Sequence, residues 1–194
     1  MLAIPLATPQ IWLFYAFSLV FAALVVRMLV RRTKELGGRK DGKSRHGIIL
    51  QSLGMGFTAI GPARTELSWF SAVAIMSYAV VLLLMGSACA LFASSSGQLG
   101  KNWSLQARTR DDHELVRSGP YARVRHPIYL AMLLFLFGMA VAFGHWVQLL
   151  IAVPVFVIGT RMRTEAEERL LEQSFGDEYR DYRKSTPALI PRLN

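Results

Sequence analysis

The 194-residue sequence contains very little cysteine and comparatively little acid. Its single cysteine, Cys89, excludes both a disulfide within one chain and a cysteine-based metal site. Asp and Glu number 13 against 22 Lys and Arg, and charged residues make up only 18% of the chain. The 4 histidines show no HExxH or comparable ligand spacing. We therefore predict no metal site.

Apolar residues dominate the composition instead. They make up 53% of the chain, and the mean hydropathy is +0.33, which favours a multi-span membrane protein over a soluble domain. A net charge of +9 is also found in nucleic-acid-binding proteins. Here the basic residues are spread over connecting loops rather than gathered on one helix face, so we predict membrane lipids and no nucleic acid as partners.

Five apolar segments define the predicted architecture, at about 10–30, 47–62, 67–94, 128–143 and 146–160. The first and third are long enough to cross a hydrocarbon core of about 30 Å, whereas the others are shorter than the usual span. Only Gly144 and His145 separate the last two, which predicts a tight helical hairpin. We predict an all-α, polytopic membrane protein with about five transmembrane helices, a cytosolic loop and a C-terminal amphipathic helix.

The distribution of basic residues predicts the topology. Eight Lys and Arg lie in positions 27–45, six in 101–125 and seven in 161–192. Five spans place all three stretches on one side, with the N-terminus outside and the C-terminus cytosolic, whereas four or six spans would separate them. The chain then divides into an N-terminal transmembrane region, 1–96, and a second region, 97–194. The sequence leaves open the oligomeric state and whether the membrane is the cell membrane or the endoplasmic reticulum.

Two charged clusters flank the predicted hairpin. Arg125 and His126 directly precede the fourth apolar segment, and Arg163 and Glu167 follow the fifth. Because the two clusters lie at the same end of the hairpin, we expect them to form one site. His126 has an alternative interpretation, a capping residue at the start of its helix.

The helical spacing of the second cluster predicts which side chains face inward. At 100° per residue, one face carries Arg163, Glu167, Leu170, Leu171 and Ser174, and the opposite face carries Glu165, Arg169 and Glu172. An i,i+4 ion pair on a solvated helix would explain Arg163 and Glu167 without any function. Their place on the apolar face favours a functional site instead.

These residues resemble a known family. The sequence resembles the isoprenylcysteine carboxyl methyltransferases in two sets of motifs that occur in the family's order. The first set is Gln106, His113-Glu114-Leu115-Val116, Gly119-Pro120-Tyr121 and Arg125-His126-Pro127-Ile128-Tyr129. The second set is Arg163-x-x-x-Glu167-Glu168-x-x-Leu171, Phe175-Gly176-Asp177-Glu178-Tyr179 and Tyr182. The resemblance covers about 102–191 and is specific for the wider superfamily, which includes phospholipid methyltransferases. Ala131 departs from the family's common glycine but keeps a small residue.

The resemblance implies an integral membrane enzyme that moves a methyl group from S-adenosyl-L-methionine to a lipophilic small-molecule or prenylated acceptor. The family's type acceptor, and the one that the resemblance implies first, is the carboxylate of a prenylated cysteine. By the same resemblance, Arg163 and Glu167 are the catalytic residues, Arg163 also binds the acceptor, and 97–194 is the catalytic region. The residues implied to bind the cofactor are Gln106, His113, Glu114, Leu115, Val116, Tyr121, Arg125, His126, Pro127, Ile128 and Glu167.

Three alternatives remain open from the sequence. The first is a phospholipid (ethanolamine) N-methyltransferase. The second is a membrane sterol reductase, since some of these share an Arg-His-Pro-x-Tyr helix start, although they are longer and bind a nicotinamide cofactor. The third is a non-enzymatic transporter or scaffold, although transporters usually carry inverted repeats and charges at the membrane midplane. The identity of the methyl acceptor is not determined by the sequence.

Overall fold

A computed structural model describes residues 9–30, 39–40, 42–63, 69–100, 108–109 and 114–190. The helices are α1 (Pro9–Val30), α2 (Gly42–Thr58), α3 (Ala72–Leu99), α4 (Pro127–Phe143) and α5 (Leu149–Ser185), with a short 3₁₀ helix (Gly119–Ala122) before α4. Two strands, β1 (Arg39–Lys40) and β2 (Arg108–Thr109), pair antiparallel. The predicted helical class is confirmed, and the small strand pair is an addition that the sequence did not predict.

Among the described residues, two helices, α1 and α3, are long and apolar enough to cross a membrane. α4 is also apolar but has only 17 residues. Leu19 on α1 and Leu83 on α3 are exposed, which fits helices that contact lipid. The number of spans and the orientation of the termini stay predictions.

The helices pack in two groups. α1 and α4 pack along α3, where Phe14, Val81, Met85 and Met139 share one buried cluster. α2 packs along α5 instead, and this interface depends on small residues. A Cβ added to Gly54 would lie 2.8 Å from the carbonyl oxygen of Ala152, so only glycine allows this approach.

The hairpin of α4 and α5 sets the position of the site. Gly144 ends α4 in the left-handed region, at φ 70°, and the chain turns back into α5. α5 continues through Pro154 and runs back toward the start of α4. After a stretch about as long as α4 it reaches Arg163 and Glu167, which therefore lie opposite the start of α4. Gly176 breaks the helical backbone at φ 52° and ψ −122°. A further helical segment then runs to Ser185.

Candidate active site

The first turn of α4 and the middle of α5 meet through Tyr129 and Arg163. The Nε–H of Arg163 donates to the Tyr129 hydroxyl at 2.9 Å, and the guanidinium carbon lies 5.0 Å from the centre of the Tyr129 ring. The same hydroxyl donates to a carboxylate oxygen of Glu167, and Arg163 NH2 lies 3.7 Å from that oxygen. Arg163 is 7% exposed, so this cation is held in a largely desolvated place.

His126 links the two glutamates of α5. Its Nε2 lies 3.0 Å from Glu168 Oε1 and its Nδ1 lies 3.6 Å from Glu167 Oε2. His126 occupies the N-cap position of α4, but its side chain makes no capping hydrogen bond. His126 therefore stands at the capping position, as the alternative interpretation had it, but its ring does not cap α4, because both ring nitrogens face carboxylates of α5.

Arg125 joins the site to the segment that follows α5. Its Nε and NH2 donate to Glu168 Oε1 at 3.0 and 2.9 Å, while its NH1 donates to the backbone carbonyls of Arg183 and Thr186. The backbone amides of Arg125 and His126 donate to the carbonyls of Pro187 and Ala188 at 2.9 and 3.0 Å. Hydrogen bonds thus hold the start of α4 against the C-terminal end of α5 and the residues that follow it.

The electrostatics of the site follow from these contacts. Burial alone would lower the pKa of His126, but hydrogen bonds to Glu167 and Glu168 and their negative charges raise it above the usual 6.5. Burial likewise opposes ionisation of Glu168, yet His126 and Arg125 lower its pKa to about 2. The pKa of Glu167 is also lowered, because His126 and Arg163 outweigh its burial. Both glutamates are therefore ionised at neutral pH.

The prediction of which α5 side chains face inward and which face outward is confirmed for the residues around Arg163. Arg163 and Leu170 are buried, whereas Glu165 and Arg169 are exposed. Glu167 lies at the edge of the buried face, with 25% of its side chain exposed. Ser174 is exposed, so the inward face does not extend that far toward Gly176.

Other predicted residues lie around this cluster. Tyr121 is buried in the 3₁₀ helix, and its carbonyl accepts a 2.7 Å hydrogen bond from the Tyr182 hydroxyl. Pro127 and Ile128 form the start of α4, buried and half-buried respectively.

The segment before the 3₁₀ helix carries further predicted residues. Glu114 is exposed, and Leu115 and Val116 are half-buried. Gln106 and His113 lie outside the described residues. Their predicted contacts with a cofactor stay predictions.

Four members of the site were not among the predicted site residues. Tyr129 and Glu168 belong to the family motifs, which was the signal available for them. Gln51 and Thr160 complete the surroundings of Arg163: Gln51 Oε1 accepts from Arg163 NH1 at 3.4 Å, and Gln51 Nε2 donates to Thr160 Oγ1 at 2.9 Å. A polar amide inside the second apolar segment was the only sequence signal for Gln51.

The fold and the site define a helical protein with a buried charged cluster at the open end of a helical hairpin. The family model for phospholipid methyltransferases matches residues 73–178, more than half of the chain. The chain belongs to this family, and the resemblance predicted from the motifs is confirmed.

Similar proteins carry more specific names. The chain is 35% identical to the protein-S-isoprenylcysteine O-methyltransferase of Schizosaccharomyces pombe over 53% of its own length and 44% of that protein. It is 29% identical to the protein of the same name from Rattus norvegicus, over 67% and 44% of the two chains. The cobalt-zinc-cadmium resistance protein CzcN of Cupriavidus metallidurans is 28% identical over 69% and 56%. The chain thus spans about half the length of these relatives.

Proposed function

We propose that this protein is an integral membrane methyltransferase that moves a methyl group from S-adenosyl-L-methionine to the carboxylate of a prenylated cysteine. The observation that carries the proposal is the pairing of a buried cation, Arg163, with an ionised and partly exposed carboxylate, Glu167, at the open end of the hairpin. This end lies where the apolar part of α5 meets its charged part, so a hydrophilic donor and a lipid-borne acceptor can meet there.

The residues fit a cationic methyl donor. When bound, S-adenosyl-L-methionine supplies a methyl group on a positively charged sulfur, which becomes a neutral thioether as the acceptor oxygen forms its bond to the methyl carbon. Of the ionic side chains that surround His126, Glu167 is the most exposed, and its lowered pKa keeps it negative. Glu167 would therefore hold the cationic part of the donor.

Arg163 fits an anionic acceptor. A carboxylate, with a pKa of about 4, is already ionised at neutral pH and needs no general base. It needs orientation, and the planar guanidinium of Arg163 offers N–H donors in a geometry that suits two carboxylate oxygens. An ethanolamine acceptor is cationic when protonated, so a neighbouring buried arginine disfavours it. The contacts around Arg163 therefore support a carboxylate.

The remaining charged residues act by holding this pair. Tyr129 positions Arg163 and Glu167 through one hydroxyl, and His126 fixes the two glutamates relative to α4. Because positioning supplies much of the acceleration of a displacement reaction, this fixed geometry is the main contribution of the chain. Arg125 is bound to Glu168 and the C-terminal segment, and would act next to the donor site.

The proposed membrane arrangement follows the charge distribution. We place the N-terminus outside and the C-terminus in the cytosol, so that the donor enters the site from the cytosol and the acceptor enters laterally between helices. Regions 1–96 and 97–194 would then serve as the membrane anchor and the catalytic part. This arrangement puts every ionic contact of the site at the cytosolic boundary.

Two measurements on the purified protein test the proposal. Calorimetry should show binding of S-adenosylhomocysteine and no binding of NADPH; binding of NADPH alone would favour a reductase, and binding of neither a non-enzymatic protein. Labelled methyl transfer should then reach a short farnesylated cysteine and not phosphatidylethanolamine. Transfer to the phospholipid alone would replace the proposed acceptor with the ethanolamine alternative.

A further inference from the structure

α2 reaches the candidate site from outside the part of the chain that the family model matches. The match begins at residue 73, whereas α2 ends at Thr58. α2 nevertheless lies along α5 at the level of Arg163, where Gln51 is 2% exposed and Thr160 is 1% exposed. A buried amide at this place needs hydrogen-bond partners, and it has two of them on α5.

The donors and acceptors fix the orientation of the Gln51 amide. Arg163 can only donate, so the amide oxygen must face the guanidinium, as it does at 3.4 Å. The amide nitrogen must then face an acceptor, and it lies 2.9 Å from Thr160 Oγ1. The reversed amide would place N–H groups against the cation, so Thr160 and Arg163 together hold Gln51 in one orientation.

Glycines allow the backbones of α2 and α5 to approach closely at this contact. One turn before Gln51, a Cβ added to Gly47 would lie 2.5 Å from Arg163 Cγ and 2.6 Å from the carbonyl oxygen of Gly159. A Cβ added to Gly159 would lie 2.8 Å from the backbone nitrogen of Gln51. The two glycines bring α2 against the stem of Arg163, and the guanidinium is then held from α2 by Gln51 and from α4 by Tyr129.

We propose that Gln51 is a positioning residue that aims the Arg163 guanidinium at the acceptor, so that α2 completes the acceptor half of the site. The inference rests on the proposed function, because it takes Arg163 as the group that binds an acceptor carboxylate. It assigns to the N-terminal region a part in substrate recognition besides anchoring.

The test measures how well the protein distinguishes a carboxylate from an uncharged ester. Binding of a short farnesylated cysteine and of its methyl ester is measured by calorimetry for the full-length wild type and for Gln51→Leu. The ratio of the two affinities reports the use of the Arg163 charge, and we expect Gln51→Leu to lower it at least about fivefold. Affinity for S-adenosylhomocysteine should stay within about twofold, since Gln51 acts on Arg163 and not on the donor.

Two further variants serve as a control and as a second test of the Gln51 side chain. Ser52→Ala changes the neighbouring, exposed residue of α2 and should leave the affinity ratio as in the wild type. Gln51→Glu keeps the shape of the side chain but adds a carboxylate that competes for Arg163, so it too should lower the ratio, and it decides the matter if Gln51→Leu does not fold.

Each result assigns a failure to one claim. A wild-type ratio in a folded Gln51→Leu or Gln51→Glu protein overturns the positioning role and leaves the proposed function intact. A wild type that does not distinguish acid from ester overturns the acceptor role of Arg163, and the role of Gln51 with it. A parallel loss of S-adenosylhomocysteine binding would show a merely structural role for Gln51.

Discussion

His126 and Glu168 are separated by 42 residues, yet Nε2 of the histidine lies 3.0 Å from Oε1 of the glutamate. The other ring nitrogen faces Glu167 Oε2 at 3.6 Å. Ionised carboxylates accept hydrogen bonds but do not donate them, so only the doubly protonated imidazolium can donate to both. The contact therefore joins α4 to α5 through a charge that depends on pH.

The stability of the protein should decrease as this charge is lost. The pKa of His126 is raised in the folded state, so its contribution is fully present below about pH 6.5 and disappears as pH rises through the higher folded value. Glu168 remains ionised throughout this range because its pKa is about 2. We expect the thermal midpoint of wild type in detergent to fall as the pH is raised above about 6.5, and that of His126→Gln to change much less.

A second histidine provides the control. His46 is exposed on α2, so His46→Gln should show the wild-type dependence on pH. An equal decline in His126→Gln and in wild type would contradict the charged state that we assign to His126.

Glu167 and Glu165 are two residues apart on α5 and should behave differently. Glu167→Ala removes the carboxylate that contacts Tyr129, Arg163 and His126, and we expect kcat/KM for methyl transfer to fall at least about 100-fold because the reacting groups lose their alignment. Glu165→Ala changes an exposed side chain and should stay within about twofold of wild type. Comparable losses in both variants would refute the assignment of the inward face.

The meeting of the two charged clusters could be predicted from the sequence, because a hairpin brings back together the residues that flank its two helices. The alternating faces of α5 also followed from helical periodicity, including the contrast between Arg163 and Glu165. The detailed partners did not follow. Whether His126 caps α4 or contacts Glu168 depends on the rotation and spacing of two helices, which periodicity does not specify.

The α2–α5 interface gives a paired test of packing. At Gly159 an added Cβ would lie 2.7 Å from the carbonyl oxygen of Gly47, which is backbone and cannot easily move. Gly159→Ala should therefore destabilise the protein by about 1–3 kcal/mol. At Gly56 an added Cβ meets no described atom within 4 Å, so Gly56→Ala should stabilise α2 by up to about 1 kcal/mol. Thermal unfolding in detergent measures both, and a stabilising Gly159→Ala would contradict the close approach of the helices.

Two tyrosines near the C-terminal end of α5 should differ in how much their hydroxyl groups contribute to stability. The Tyr182 hydroxyl donates to the Tyr121 carbonyl at 2.7 Å, so Tyr182→Phe should cost about 1 kcal/mol of the free energy of unfolding. The Tyr179 hydroxyl is buried and has no hydrogen-bond partner among the described residues, so Tyr179→Phe should be neutral or stabilising. Unfolding measurements that show the larger loss for Tyr179→Phe would contradict these contacts.

The contribution of α2 lay beyond sequence reasoning. Gln51 lies in a segment that resembles any apolar span, and nothing local indicates that its amide faces a residue 112 positions later. The glycines of α2 likewise have different roles: Gly47 and Gly54 contact α5 closely, whereas Gly56 does not. Long-range contacts of this kind depend on which helices become neighbours, and the pattern within one helix does not determine that.

The most direct test of the account is labelled methyl transfer from S-adenosyl-L-methionine to a farnesylated cysteine by purified wild type and Arg163→Ala, with S-adenosylhomocysteine binding measured in both. We predict transfer to the carboxylate in wild type, and a loss of at least about 100-fold in Arg163→Ala with donor-site binding retained. Absence of transfer by the wild type, or equal transfer by the two proteins, would contradict the account.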